Sequence, residues 1–318
     1  ELYNAASNGM LPPNAPVFRT AHRAHEELVN MMDFIAAGQP LPSADGIVAA
    51  RPDYLELIAF YGRIFTAQEE ARRRVRLDPV HLSEDLIRVK RREQLPLVMA
   101  SEMVFDPGVS EDLLVELCRV AVECGTELAG AAQKLSGQSM KATTLLGPFL
   151  KAREPAVAAG AADLGVDLPP LAFFLYHCLR PSLCTCAEQL AAHLDSTPSG
   201  EQGYCPVCGS PPAIASLEDE GQRHLFCSFC WHKWPLNRTL CPFCGSRDQK
   251  GLVYLYSEEE KEYRVDACQS CRKYIKTVDT RVLTRLFYPP LEQVASLHLD
   301  IKASEAGYES VLPVQPRL

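Results

Sequence analysis

Eight of the thirteen cysteines in this 318-residue chain fall into four CxxC pairs between positions 205 and 271. These are Cys205/Cys208, Cys227/Cys230, Cys241/Cys244 and Cys268/Cys271. One CxxC pair sets two thiolates of a tight turn on the same ion, and four thiolates complete a tetrahedral site, so four pairs predict two metal sites. The first and third pairs read Cys-Pro-x-Cys-Gly, ending at Gly209 and Gly245. In such a knuckle glycine supplies positive φ and proline stiffens the turn. Trp231 and Arg272 stand in the corresponding places of the second and fourth pairs.

The cysteine region is also an internal repeat. Knuckle one leads to an apolar run 213–217, an acidic turn 218–221, a second run 223–226 and knuckle two. Knuckle three leads to 252–256, an acidic turn 257–261, a run 263–265 and knuckle four, and the two copies start 36 residues apart (241 minus 205). Each copy therefore reads as knuckle, β-hairpin, knuckle, with a further strand expected at 234–240 and 274–278. A hairpin that brings its own two knuckles together assigns site one to Cys205, Cys208, Cys227 and Cys230, and site two to Cys241, Cys244, Cys268 and Cys271. A cross-braced pairing is the alternative. Tetrahedral sulfur suits zinc as a structural staple and iron equally well, and donor identity alone does not separate them. Thiol redox by the CxxC pairs is a third reading, which four symmetric pairs fit less well than ligation.

Upstream of about residue 194 the chain reads as helix after helix. Phe18, Ala21, His25, Leu28, Val29, Met32 and Ile35 recur at helical spacing, and so do Tyr54, Leu57, Ile58, Tyr61, Ile64 and Phe65. A third helix is expected after Pro107-Gly108, with Ser110 as N-cap and a stripe of Leu114, Leu117, Cys118, Ala121, Gly125 and Leu128. Further helical segments are expected at 141–163 and 168–194, the last broken or kinked at Pro181. Residues 195–203, rich in Ser, Pro and Gly, read as a linker. An amphipathic piece, 291–301, lies near the end. No apolar run approaches the roughly 18 residues of a membrane span, and the run from Leu168 to Leu179 reads as a buried helix. A net charge of -8, concentrated in the first 200 residues, argues against a general polyanion binder. CxxC clusters in a chain of this length point to a reducing compartment. Cys118 and Cys124 read as helix packing. Cys184 and Cys186 with His177 and His193 form a weaker candidate for an extra metal site, and His224 and His232 flank knuckle two as neighbours of the ligands. No Walker loop, GxSxG, HExxH or dinucleotide fingerprint is present.

Four stretches together resemble the formate dehydrogenase accessory proteins of the FdhE type. They are Cys205-Pro-Val-Cys-Gly-Ser-Pro-Pro212; Leu225-Phe-Cys-Ser-Phe-Cys230 with Trp234 and Arg238; Cys268-Gln-Ser-Cys-Arg-Lys-Tyr-Ile-Lys276; and Val294-Ala-Ser-Leu-His-Leu-Asp300. The resemblance implies a multidomain chain: an all-α domain at 1–194, a linker at 195–204, rubredoxin-like or zinc-ribbon β domains at 205–240 and 241–285, and a tail at 286–318. It also implies one metal ion in each four-cysteine site, with iron favoured and zinc the alternative. The implied role is a non-enzymatic cytoplasmic one: binding the catalytic subunit of respiratory formate dehydrogenase and supporting its maturation, without membrane insertion. Two rival readings rest on the residues themselves. Trp231, Lys233, Trp234, Arg238, Arg272, Lys273, Tyr274 and Lys276 would form a basic stacking groove for single-stranded nucleic acid. Iron with reversible one-electron cycling would make the chain a rubredoxin-like electron carrier.

Overall fold

The computed structural model describes residue 47 and residues 52–194, 200–257 and 260–312. The stripe from Phe18 to Ile35 and residues 195–199 of the expected linker lie outside them. Among the described residues the chain before 195 is helical. α1 (Leu55–Arg74) buries Ile58, Tyr61, Ile64 and Phe65 of its apolar stripe and adds Phe60 from beside it. Three arginines fill its last turn, where the helix dipole favours cations. A short helix α2 (Glu84–Arg92) follows, capped by Ser83. α3 (Pro107–Glu123) starts earlier than expected: its N-cap is Asp106, whose side chain accepts from Val109 N at 3.1 Å, while Ser110 sits one turn in and donates to the Asp106 carbonyl. Pro107 at the first helical position lacks a donor that the cap would not need. The helix ends at Glu123, and Gly125 turns the chain at φ 63°.

The stretch 141–163 is not one helix. It lies within α5 (Ser139–Thr143), α6 (Leu146–Leu150) and α7 (Glu154–Leu164), preceded by α4 (Ala129–Ser136). α8 (Leu168–Ala191) runs unbroken through Pro181. A proline removes the amide that would bond the carbonyl four residues back, here that of His177. Gln68 of α1 replaces it, donating Nε2 to the His177 carbonyl at 2.8 Å. A neighbouring helix thus supplies the missing hydrogen bond, which is why the expected break does not occur. Among the described residues no single helix is long and apolar enough to cross a membrane.

The cysteine region forms β1 (Pro212–Glu218), β2 (Gln222–Cys227), β3 (Lys233–Pro235), β4 (Leu252–Ser257), β5 (Glu260–Cys268) and β6 (Tyr274–Asp279). β3 is three residues long rather than seven, because the chain leaves the sheet at Pro235 and turns at Asn237, whose Oδ1 accepts from Thr239 N. The six strands make one sheet in the order β3-β2-β1-β6-β5-β4. Within each repeat pairing is antiparallel, but β1 and β6 pair in parallel, Ile214 opposite Lys276 and Leu217 opposite Asp279. The two ribbons are therefore welded edge to edge. The tail folds back as α9 (Pro289–Ala295) and α10 (Leu297–Glu305), burying Leu291, Val294, Ala295, Leu299 and Ala303. One hydrophobic cluster runs from Ile58, Leu117 and Phe174 through Val207 and Leu225 to Leu291, so ribbon one and the helices share a core.

Candidate metal centres

The structure gathers the eight cysteines into the two sets expected from a hairpin-closed repeat, with no cross-bracing. Sγ atoms of Cys205, Cys208, Cys227 and Cys230 lie within 4.8 Å of one another, and so do those of Cys241, Cys244, Cys268 and Cys271. Individual S···S separations are 3.7 Å for Cys205/Cys230, 3.5 Å for Cys208/Cys227 and 3.6 Å for Cys208/Cys230. In the second set Cys241/Cys271 and Cys244/Cys268 are each 3.8 Å apart. A metal–sulfur bond of about 2.3 Å in tetrahedral geometry requires an S···S edge of about 3.8 Å. Disulfides would need about 2.0 Å. The spacing fits a metal ion, and the two clusters can hold one each.

The turns are built for thiolates. Phe229 N and Cys230 N point at Cys227 Sγ at 3.3 and 3.4 Å, and Phe243 N points at Cys241 Sγ at 3.5 Å. Hydrogen bonds from Cys205, Cys227 and Cys230 hold the Cys208 thiol far below its usual range, while burial pushes Cys205 far above it. Four sulfurs so crowded are reconciled when a cation takes the place of the protons.

All four knuckles share one backbone device. Gly209 and Gly245 follow their pairs at φ 76° and 70°, and Trp231 and Arg272 do the same at φ 60°. For a side-chain-bearing residue that conformation costs about 1–2 kcal/mol. Both side chains are anchored to other elements. The Arg272 guanidinium lies 4.5 Å from the centre of the Tyr308 ring and donates to the Gly307 carbonyl at 2.9 Å, tying knuckle four to the tail. Trp231 donates its indole N–H to Tyr176 Oη at 3.1 Å, and that hydroxyl bonds the Ser228 carbonyl at 3.0 Å, tying knuckle two to α8. Knuckle one is held by backbone bonds from Leu97 N to the Pro206 carbonyl at 2.9 Å and from Val98 N to the Val207 carbonyl at 3.0 Å. A Trp231→Gly chain should relieve about 1 kcal/mol of backbone strain yet lose an aromatic anchor worth more. We expect unchanged metal content with a net loss of about 2–4 kcal/mol in denaturant unfolding of the metal-loaded chain.

The two sites differ in access. Every cysteine of site one is buried, whereas Cys244 is exposed and Cys271 half-buried in site two. Site one lies against the helices, and site two lies beside the outer strands β4 and β5. Cys118, Cys178, Cys184 and Cys186 are buried in helices. Among the described residues they gather with no histidine into a third cluster. His224 and His232 also stand outside both sets. Of the residues that would form a stacking groove, Trp234, Tyr274 and Lys276 are buried, with Lys276 paired to Asp300 at 2.8 Å. Trp231 and Arg272 are committed to the contacts above.

His177 belongs to the joint behind site one. Its Nδ1 lies 2.9 Å from Gln68 Nε2, so the ring accepts there and is neutral. Burial, and after it the Arg180 cation, pushes its pKa from 6.5 to about 3. The unfolded chain then binds the extra proton, and this contribution to stability is complete above pH 6.5 and falls away as pH drops toward 3. A His177→Leu chain should show a flatter acid limb in a stability-versus-pH series than its parent.

The FdhE central-domain family profile matches residues 204–238, knuckle one to just past β3. The FdhE homologue of Aquifex aeolicus is 36% identical over 151 residues, covering 46% of this chain and 52% of that protein. The chain is similar to proteins of the FdhE family over this region. FdhE of Escherichia coli O1:K1 / APEC is 26% identical over 201 residues, covering 60% of this chain and 61% of its own length. The chain thus spans about half the length of the first curated relatives it matches. The crystal structure of FdhE from Pseudomonas aeruginosa superposes with a TM-score of 0.57 at 20% identity, over 85% of this chain and 92% of that one, and shares the family's fold.

Proposed function

We propose that this chain is a non-enzymatic assembly factor that binds the catalytic subunit of a respiratory formate dehydrogenase in the cytoplasm, with the eight CxxC cysteines ligating one metal ion per ribbon. Similarity to FdhE proteins supports the client, and the S···S spacing supports the ligand set. The observation that carries the non-enzymatic part is closure: each set supplies four sulfurs at tetrahedral spacing, which leaves no coordination position for a substrate. Iron is the favoured ion and zinc the alternative. At site one, Cys205, Cys208, Cys227 and Cys230 would hold the metal, which would join knuckles one and two where they meet the helices. At site two, with Cys244 exposed, a bound iron would meet oxidants and the client's surface. We also read the chain as a helical unit to 194, a linker to 204, ribbons at 205–240 and 241–285, and a tail from 286.

The test is an anaerobic pull-down with the full chain as bait, joined to metal analysis of the bait. We expect two metal ions per chain, iron predominating, and the formate dehydrogenase catalytic subunit among the captured proteins. Absence of that subunit from the bound fraction would refute the assembly reading. A colourless chain holding zinc alone would remove iron and any electron-carrier role.

A further inference from the structure

Arg223 projects from β2 of ribbon one, and its side chain borders ribbon two. It is only 4% exposed. Nη1 donates to the Leu240 carbonyl at 3.2 Å, the residue just before Cys241, while Nε and Nη2 have no hydrogen-bond partner. Arg223 also lines a cavity of about 10 Å³ whose walls include Arg238, Cys241, Cys268 and Lys273, so two cysteines of site two and two further cations border it. Such a volume takes about one water molecule and no larger ligand. The acid in the same cavity, Asp266, is already matched: Arg264 bonds it at 2.7 and 3.3 Å and Thr277 at 3.0 Å. Arg264 thus takes up Asp266, the buried Arg223 cation has no carboxylate hydrogen-bonded to it, and an unmatched buried cation is costly. The anion beside it is the cysteine set itself, since four thiolates around a divalent ion carry a net charge of −2.

We propose that Arg223 is the positioning and charge-compensating residue of site two, so that ribbon one lends ribbon two a fixed cation across the shared sheet. This rests on the reading that both clusters hold metal. The parallel pairing of β1 with β6 gives the device its rigidity, because it fixes β2 relative to the second cluster. Outer groups of this kind tune a metal's retention through charge and hydrogen bonding to its ligands.

The experiment loads the full chain anaerobically with cobalt(II) and follows release to excess EDTA through the thiolate-to-cobalt absorption. Wild type should hold two cobalt ions and release them in two phases, the more exposed site two leaving first. In Arg223→Met the first phase should quicken about tenfold with the second unchanged, and Arg223→Lys should stay within about threefold of wild type. Equal release from wild type and Arg223→Met would overturn the proposal. So would equal acceleration of Met and Lys variants, or of both phases, which marks a packing role. A wild-type chain holding fewer than two cobalt ions would overturn the two-metal reading and this inference with it.

Discussion

A chain carrying Cys205→Ser and Cys208→Ser is expected to bind one metal ion instead of two and to lose its cooperative fold. A tetrathiolate site contributes on the order of 10–16 kcal/mol of apparent folding free energy, against about 5–15 kcal/mol for a whole domain. Site one is not a peripheral staple. Its knuckles receive backbone bonds from Leu97 and Val98, and Tyr176 of α8 reaches the Ser228 carbonyl. Losing the ion therefore frees surface that the helices pack against. The counterpart, Cys241→Ser with Cys244→Ser, loosens a knuckle whose Cys244 is already exposed, and the helices should stay folded. Hydrogen exchange separates the two outcomes. Protection across α1, α3 and α8 should collapse in the first variant and persist in the second. Equal protection of these helices in both variants would show that site one does not support the helical core.

The grouping of the cysteines was legible because it is local. A CxxC pair fixes two sulfurs within one turn, and the hairpin between knuckles decides which pairs meet, so both cysteine sets follow from spacing. The weld between ribbons is different. β1 and β6 are separated by more than fifty residues, and their parallel pairing leaves no mark in either hairpin's alternation. Trp231 and Arg272 illustrate a second limit. A glycine would have announced the positive φ, but here a large side chain adopts it because Tyr176 and Tyr308 hold the far end. Pro181 shows a third, since its effect on α8 depends on Gln68, 113 positions upstream by subtraction. In each case a tertiary contact outweighs a local preference of about 1–3 kcal/mol.

Substituting Arg180 tests the joint where these contacts converge, and Arg180→Ala is expected to cost about 3–5 kcal/mol. The guanidinium is buried with no carboxylate on it. It bonds Gln68 Oε1 and Tyr288 Oη, and sits 5.1, 5.4 and 5.8 Å from the ring centres of Phe65, Trp231 and Tyr288. Those rings belong to α1, knuckle two and the approach to α9, so one cation joins the helical part, ribbon one and the tail. A desolvated cation over an aromatic face is worth about 2 kcal/mol, and a charged hydrogen bond about 1.5–3 kcal/mol. Glu69 would not be orphaned by the change, because Tyr288 Oη at 2.8 Å and Arg72 at 3.4 Å remain on it. The loss is thus of the cation's own contacts. Arg180→Met keeps the volume without the charge and should recover at most half of the deficit in denaturant unfolding of the metal-loaded chain. A Met variant as stable as wild type would mean that shape alone holds the joint. In a double-mutant cycle, Arg180→Ala and Trp231→Ala should couple by about 1–2 kcal/mol. Additivity would separate knuckle two from the cation that the geometry places over it.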